Sequence, residues 1–493
     1  MNYSSTRSTN ENEKVSAAQA IKQGLANDGG LFMPDEIPQI ALGDIEALIN
    51  KSYVERATEV LSMFLTDYTK EELRADCEAA YSETRFVGGA APLKSIDGKV
   101  FSLELWHGPT CAFKDMALQI MPRLLCRALE KTGEKRDAMI LVATSGDTGK
   151  AALEGYRDID KIRIKVFYPV DGVSRVQKLQ MATQGGNNVD VCAIYGNFDD
   201  AQTGVKKIFA DADIAKELND KGIFLSSANS INWGRLAPQI VYYVSAYCDM
   251  VKMGEIKLGD NIDVCVPTGN FGNIFAAYIA KMMGLPIEKF VCASNKNNIL
   301  TDFLATGTYD RNRKFYTTMS PSMDILISSN LERLLYTLAG AEKTAAYMKD
   351  LNTTGKYTLD AETKAKIDAN FYGYSCDEEG TASIIRETFD KYGYLCDTHT
   401  AVGLSCARQY ASEHGGNKIV LASTASPYKF ANDVYTAVSG KTAADELSAL
   451  KELSAYTSTE IPAPLCDIDK REIRFTKTIE ASNMPADVMS FAD

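Results

Sequence analysis

Histidine is scarce in this chain: His107, His399 and His414 are the only three among 493 residues. A histidine-rich metal site is therefore not expected. The eleven cysteines are odd in number and scattered, with no C-x-x-C among them. That excludes a zinc-knuckle pattern and a disulfide framework, and suits a reducing, cytoplasmic setting. No apolar run is long enough to span a bilayer, and the polar start from Met1 to Lys14 has no apolar stretch of the kind a signal peptide carries. Excess positive charge is missing too. A formal net charge of -12 argues against nucleic acid and against an anionic membrane surface as partners. An anionic small molecule must then be captured by a local cluster of donors.

What is present is an ordinary globular composition, 45% hydrophobic and 24% charged, on a chain long enough for two or three domains. From about residue 98 short β-branched runs alternate with helical patterns. Residues 100–105, 138–143, 164–168, 189–194, 262–266 and 418–422 each read as a buried strand, most of them followed by a helix. That alternation predicts an α/β fold with parallel strands and ligands at their carboxyl ends. The expected division is a helical N-terminal segment over 1–97, a small α/β domain over 98–240 and a large one over 241–493. A helical insertion is expected near 340–392.

One segment carries the most chemistry: Trp106-His-Gly-Pro-Thr-Cys-Ala-Phe-Lys-Asp-Met-Ala-Leu-Gln119. It sets Lys114 in apolar company where a Gly-Pro turn passes into a helix that Pro122 should kink. Burial of an amine there favours its neutral form, which can attack an aldehyde to form a Schiff base. The plainer reading is a surface lysine that snorkels to solvent.

Two strand–loop–helix units follow. In Ala143-Thr-Ser-Gly-Asp-Thr-Gly-Lys150 a polar glycine loop offers N–H groups and hydroxyls to a carboxylate or small anion. It is not a nucleotide P-loop, because Thr144 stands where that motif needs glycine and Ala151 where it needs Ser or Thr. In Val266-Pro-Thr-Gly-Asn-Phe-Gly-Asn273, Gly269 and Gly272 let the backbone approach closely while Asn270 and Asn273 add donors. This reads as a phosphate cup, and its spacing is not that of a dinucleotide fold. Asn229-Ser-Ile-Asn-Trp-Gly-Arg235 gathers small donors around one arginine, as a phosphate grip or as a plain helix N-cap. Ser423-Thr-Ala-Ser-Pro427 ends a late strand with a neutral hydroxyl fit to meet a pyridine nitrogen, or with a simple turn.

Together these residues resemble the threonine synthase family, enzymes of fold type II (tryptophan synthase β-like) that use pyridoxal 5'-phosphate. The likeness also takes in Gly30-Leu-Phe-Met-Pro34, Ser320-Pro-Ser-Met-Asp-Ile-Leu-Ile-Ser-Ser-Asn-Leu-Glu332 and Asp397-Thr-His-Thr-Ala401, so it runs along nearly the whole chain in order. It implies parallel-sheet large and small domains with helices on both faces. It further implies that Lys114 attaches the cofactor and acts as the catalytic base. Gly269, Asn270, Phe271, Gly272 and Asn273 would hold the cofactor phosphate, Thr424 would face the ring nitrogen, and Asp147 would lie by the ring hydroxyl. Thr144, Ser145 and Thr148 would take the substrate carboxylate. Ser230, Asn232 and Arg235, with Lys150, would take the substrate phosphate.

The implied reaction turns O-phospho-L-homoserine and water into L-threonine and phosphate, on a monomer or homodimer. The chain departs from the family at Ser426-Pro-Tyr-Lys429, where close relatives have His-Pro-Ala-Lys, and at Cys111, where they often have Leu. Loss of that imidazole leaves open a phospho-lyase that releases 2-oxobutyrate. A non-catalytic paralogue that binds the cofactor or a phosphoamino acid is the other alternative.

Overall fold

A computed structural model describes residues 1–10, 13–144, 146–171 and 173–493. Two sheets organise it. The first has six strands in the order Phe371–Ser375, Ile287–Ser294, Ile262–Pro267, Lys418–Ser423, Val100–Glu104 and Leu93–Ser95. All its neighbours are parallel except the last pair. The second is a fully parallel sheet in the order Thr478–Glu480, Val189–Tyr195, Ile162–Pro169, Asp137–Ala143 and Ile223–Ser226.

Side-chain alternation explains why both faces of each sheet are covered. Along Ile262–Pro267, Val264 and Val266 share a core with Phe275 and Ile279 of the following helix. Cys265 between them points into a second core with Val402 and Cys406 of the helix Thr398–His414. The small sheet does the same. Ile140 and Val142 join the main core, while Met139 and Leu141 join Val488 and Ala492 of the final helix, Met484–Ala492.

All six expected strands form, within a residue or two of the expected ends. Five strands of these sheets escaped the sequence reading: Leu93–Ser95, Ile223–Ser226, Ile287–Ser294, Phe371–Ser375 and Thr478–Glu480. Over 340–392 three helices alternate with two short strands, of which Phe371–Ser375 joins the six-stranded sheet. As an edge strand it buries only its first residue, so it lacks the run of buried residues that marks the central strands. The two sheets draw on widely separated parts of the chain. Val100–Glu104 pairs with Lys418–Ser423 in the six-stranded sheet, while Thr478–Glu480 returns to the edge of the other.

Pro122 does not kink a helix. The short helix Asp115–Leu118 stops first, and Pro122 occupies the second position of a new helix, Met121–Lys131, where its missing N–H is no loss. No helix among the described residues is long and apolar enough to cross a membrane. The N-terminal segment is fastened to the helix Leu331–Thr354 by polar contacts. Arg7 grips Glu332 through Nε at 2.8 Å and Nη2 at 2.7 Å, and the guanidinium of Arg333, wholly buried, donates to the carbonyls of Phe32 and Ile231.

Candidate active site

The Lys114 turn lies against the loop that follows Lys418–Ser423, joined strand-like by backbone hydrogen bonds. Leu105 N–H donates to Ser423 at 2.9 Å, Phe113 N–H to Thr424 at 2.8 Å, and Ser426 N–H to Cys111 at 3.0 Å. Lys114 and Thr424, distant in sequence, thus become neighbours. Gly108 is needed in the turn, because a Cβ there would sit 2.5 Å from a carboxylate oxygen of Asp115. That carboxylate accepts from the N–H of Thr110 at 2.8 Å and from its hydroxyl at 2.7 Å, which closes the turn. Cys111 holds a left-handed φ of 60°, a strained geometry for a residue other than glycine.

Lys114 is partly buried, its amine lies 5.2 Å from the centre of the Phe113 ring, and it makes no ion pair with any described residue. Desolvation lowers its pKa. Asp147 opposes that shift, whereas the cations Lys429 and Arg235 add to it. The amine is thus biased toward the neutral, nucleophilic form.

The loop between Ile262–Pro267 and the helix Gly272–Met282 has the form of a cup. Phe271 stands at the helix N-cap with φ 64°, which turns the first N–H groups of the helix to one side without intrahelical acceptors. A Cβ on Gly269 would meet the carbonyl of Ser322 at 2.6 Å. Ser328 Oγ donates to the Gly269 carbonyl at 2.6 Å, and Asn330 N–H to that of Asn270 at 2.9 Å. Asn273 Oδ1 accepts from Tyr242 at 2.9 Å and from Tyr243, which leaves its buried Nδ2 donor without a partner. An orphaned donor beside open helix N–H groups fits a phosphate. Thr424, 6 % exposed, lies across from them on the neighbouring strand's loop. The residues present therefore suit pyridoxal phosphate at both its phosphate and ring ends.

Sequence reasoning passed over the support for this cup. His399, buried on the helix Thr398–His414, accepts the Ser322 N–H on Nε2 at 3.1 Å and so must hold its proton on Nδ1, 2.7 Å from Asp397. The Asp-x-His spacing was the available signal.

On the other sheet, Thr144 Oγ accepts the N–H groups of Gly146 at 3.0 Å and Gly149 at 2.9 Å, leaving its own hydroxyl proton to donate outward. Thr148 is partly exposed at the start of the helix Asp147–Tyr156. Ser145 lies outside the described residues. Asp147 forms a buried 2.6 Å ion pair with Lys429 and accepts from Gln177 at 2.9 Å. Burial alone would push its carboxyl up, but the ammonium groups of Lys429 and Lys114 outweigh that and hold it well below the usual range. Lys429 was not among the expected site residues.

Arg235 is 4 % exposed, donates through Nη1 to the Ala228 carbonyl at 2.6 Å, has an unpartnered Nε and pairs with no carboxylate among the described residues. Desolvation pushes its pKa down to about 10. Such a guanidinium awaits an anion. Ser230 is partly exposed nearby. Two expected members of this grip are otherwise engaged. Asn232 caps its helix through Oδ1 to Gly234 at 2.8 Å and donates Nδ2 to Ile21 at 2.8 Å, so both ends of its amide are used. Lys150 is taken by Gln184 and by Glu154 at 3.4 Å.

Family models match three successive stretches: "Threonine synthase N terminus" over 2–81, "Pyridoxal-phosphate dependent enzyme" over 90–425 and "Threonine synthase, C-terminal" over 400–487. The chain belongs to the threonine synthase family. Its cofactor is pyridoxal phosphate. The threonine synthase of Pseudomonas aeruginosa is 38% identical, over 97% of this chain and 95% of its own length. The human protein "Threonine synthase-like 1" is 41% identical over 91% of this chain, which spans only 60% of that relative's length. A pyridoxal-phosphate-bound threonine synthase from Brucella melitensis superimposes with a TM-score of 0.89 at 38% identity, covering 100% of this chain and 99% of its own. The yeast threonine synthase gives 0.90 at 32%, covering 100% and 98%.

Proposed function

We propose that this protein converts O-phospho-L-homoserine and water into L-threonine and inorganic phosphate. One observation carries the reading. A buried guanidinium without a carboxylate, Arg235, stands close enough to Lys114 to depress its pKa, so a phosphate grip adjoins the amine that would hold the cofactor.

In this reading Lys114 anchors pyridoxal phosphate, Gly269 to Asn273 hold its phosphate, the Thr424 hydroxyl meets its ring nitrogen and Asp147 lies by its ring hydroxyl. When bound, that group supplies an electron sink for negative charge at the substrate Cα. Thr144 and Thr148 take the substrate carboxylate, with Ser145 expected beside them, while Arg235 and Ser230 take the phosphate. Released from the cofactor, the Lys114 amine removes the Cα proton. A Cβ proton is lost next, and the Cγ–O bond breaks as phosphate leaves. Cγ then gains a proton, water adds its oxygen at Cβ and its spare proton departs, and Cα is reprotonated. Two-ended binding of the substrate positions Cα and Cγ for one mobile amine.

The competing reading is a phospho-lyase that releases 2-oxobutyrate. The observation that favours it is Ser426, fully buried and turned back to cap the Tyr428 N–H at 3.3 Å where relatives supply an imidazole. Incubation of cofactor-loaded protein with O-phospho-L-homoserine decides between them. Phosphate and threonine in equal amounts support the synthase; phosphate with 2-oxobutyrate supports the lyase. Absence of any phosphate release would remove this substrate and leave the non-catalytic alternative.

A further inference from the structure

Residues 82–89 link the N-terminal family region to the catalytic one and belong to neither match. Arg85 leaves this linker and donates to Gln119 Oε1 at 2.5 Å. That bond fixes the orientation of the Gln119 amide, because its NH₂ could not face a guanidinium. The Nε2 donor of Gln119 is then buried without an acceptor, on a residue only 2 % exposed. A second donor is orphaned beside it, Nε of Arg123.

Gln119 and Arg123 share one face. Gln119 and Ile120, the two residues between the helices Asp115–Leu118 and Met121–Lys131, both hold right-handed helical dihedrals, which keeps Gln119 and Arg123, four apart, on one side of the chain. Helical side chains lean toward the N-terminus, which carries Arg123 over Gln119. Desolvation lowers the pKa of Arg123, and the neighbouring Arg85 lowers it further. The nearby acids are already engaged. Asp76 binds Arg127 at 2.6 Å and 3.0 Å, and Glu72 binds Lys131 at 2.8 Å. Neither Arg85 nor Arg123 has a carboxylate partner among the described residues.

Two guanidinium groups and a buried amide donor thus converge from two parts of the chain, and the acid that acts on Arg123, Asp76, is already paired with Arg127. We propose that Arg85, Gln119 and Arg123 form an anion site for a phosphate dianion, separate from the catalytic cleft. It is separate because Gln119 lies five residues past Lys114 along a stretch of helical dihedrals, so the two side chains leave different faces. Phosphate suits it better than a carboxylate, since it offers acceptors in several directions and charge enough for two cations. Bound there, it pins the linker to the helix that follows the Lys114 turn, coupling the N-terminal segment to the catalytic centre.

The test uses the full, cofactor-loaded protein and its melting temperature in inorganic phosphate against chloride at matched ionic strength. The Arg235→Gln variant removes the catalytic phosphate grip and is expected to keep the phosphate-induced rise. Arg85→Gln and Arg123→Gln are expected to lose it. Gln119→Glu supplies an internal carboxylate, so it should melt higher than the parent without phosphate and no longer respond to it. Glycerol 3-phosphate distinguishes the source: an equal rise points to a phosphate monoester, a rise with the inorganic ion alone to free phosphate. The proposal is overturned if Arg235→Gln abolishes the response, if Arg85→Gln and Arg123→Gln leave it intact, or if Gln119→Glu lowers stability. A bound water alone gives no phosphate response in any of them.

Discussion

Lys429 and Asp147 meet at 2.6 Å in the protein interior, the lysine side chain only 1 % exposed. One comes from the loop after the last strand of the six-stranded sheet, the other from the first turn of a helix on the five-stranded sheet. The Lys429 ammonium also reaches the Thr110 carbonyl at 3.3 Å and Gln180 Oε1 at 3.2 Å, so it ties both sheets to the Lys114 turn.

Replacement of either partner alone leaves a buried, uncompensated charge. Lys429→Met and Asp147→Asn are each expected to cost about 3–5 kcal/mol, while the double variant recovers much of the loss. Chemical denaturation of all four proteins checks this, and additive losses would dissolve the coupling. The pH sign follows from the lowered Asp147 pKa. Its stabilisation is fully present above the unfolded value of about 3.9 and is lost only as pH falls through the lower folded value. At neutral pH the pair should therefore show no titration.

Lys114 gives the opposite slope. Its folded pKa lies below the unfolded value of about 10.4, so folding penalises the protonated amine. The penalty is full below the folded pKa and is relieved as pH rises toward the unfolded one. Without cofactor, Lys114→Met should melt higher than the parent at pH 7, by a margin that narrows toward pH 10. In the loaded enzyme Lys114→Ala should abolish turnover. A variant with full activity would end the assignment.

At Gly269 the contact is backbone, and backbone cannot swing aside as a side chain does. Gly269→Ala places a methyl 2.6 Å from the Ser322 carbonyl and must push the cup and its neighbouring loop apart. A cost of about 1–3 kcal/mol in cofactor affinity is expected, about five- to 150-fold in the dissociation constant for pyridoxal phosphate. Absorbance titration measures it, and an unchanged constant would show that the loop does not hold the phosphate.

For Arg235→Ala the expectation is a KM for O-phospho-L-homoserine raised by the equivalent of about 2–5 kcal/mol, thirtyfold to a few thousandfold. A KM equal to the parent's would take Arg235 out of the substrate grip.

Much of this architecture could be read along the chain, since its signals are local. A buried parallel strand is a short β-branched run, and a glycine loop between such a strand and a helix announces itself within ten residues. Lys114 stood out because its own neighbours are apolar. Two of the unread strands carry little local signal. Phe371–Ser375 is half-exposed and borders a helix, and Thr478–Glu480 is a strand only because Val189–Tyr195 offers it an edge.

The same divide runs through the site. By itself the sequence determined the α/β class, the two glycine loops and the lysine in its turn, because periodicity, turn chemistry and apolar context act within one stretch of chain. Which side chains face which was decided by tertiary structure alone. Asn232 is a helix cap because Ile21 comes to it, and Lys150 is engaged because Gln184 does. Thr424 reaches Lys114 through backbone pairing, and Lys429 becomes a site residue through Asp147. A polar side chain can be satisfied by any partner of complementary charge, and only the folded chain brings one of them within 3 Å.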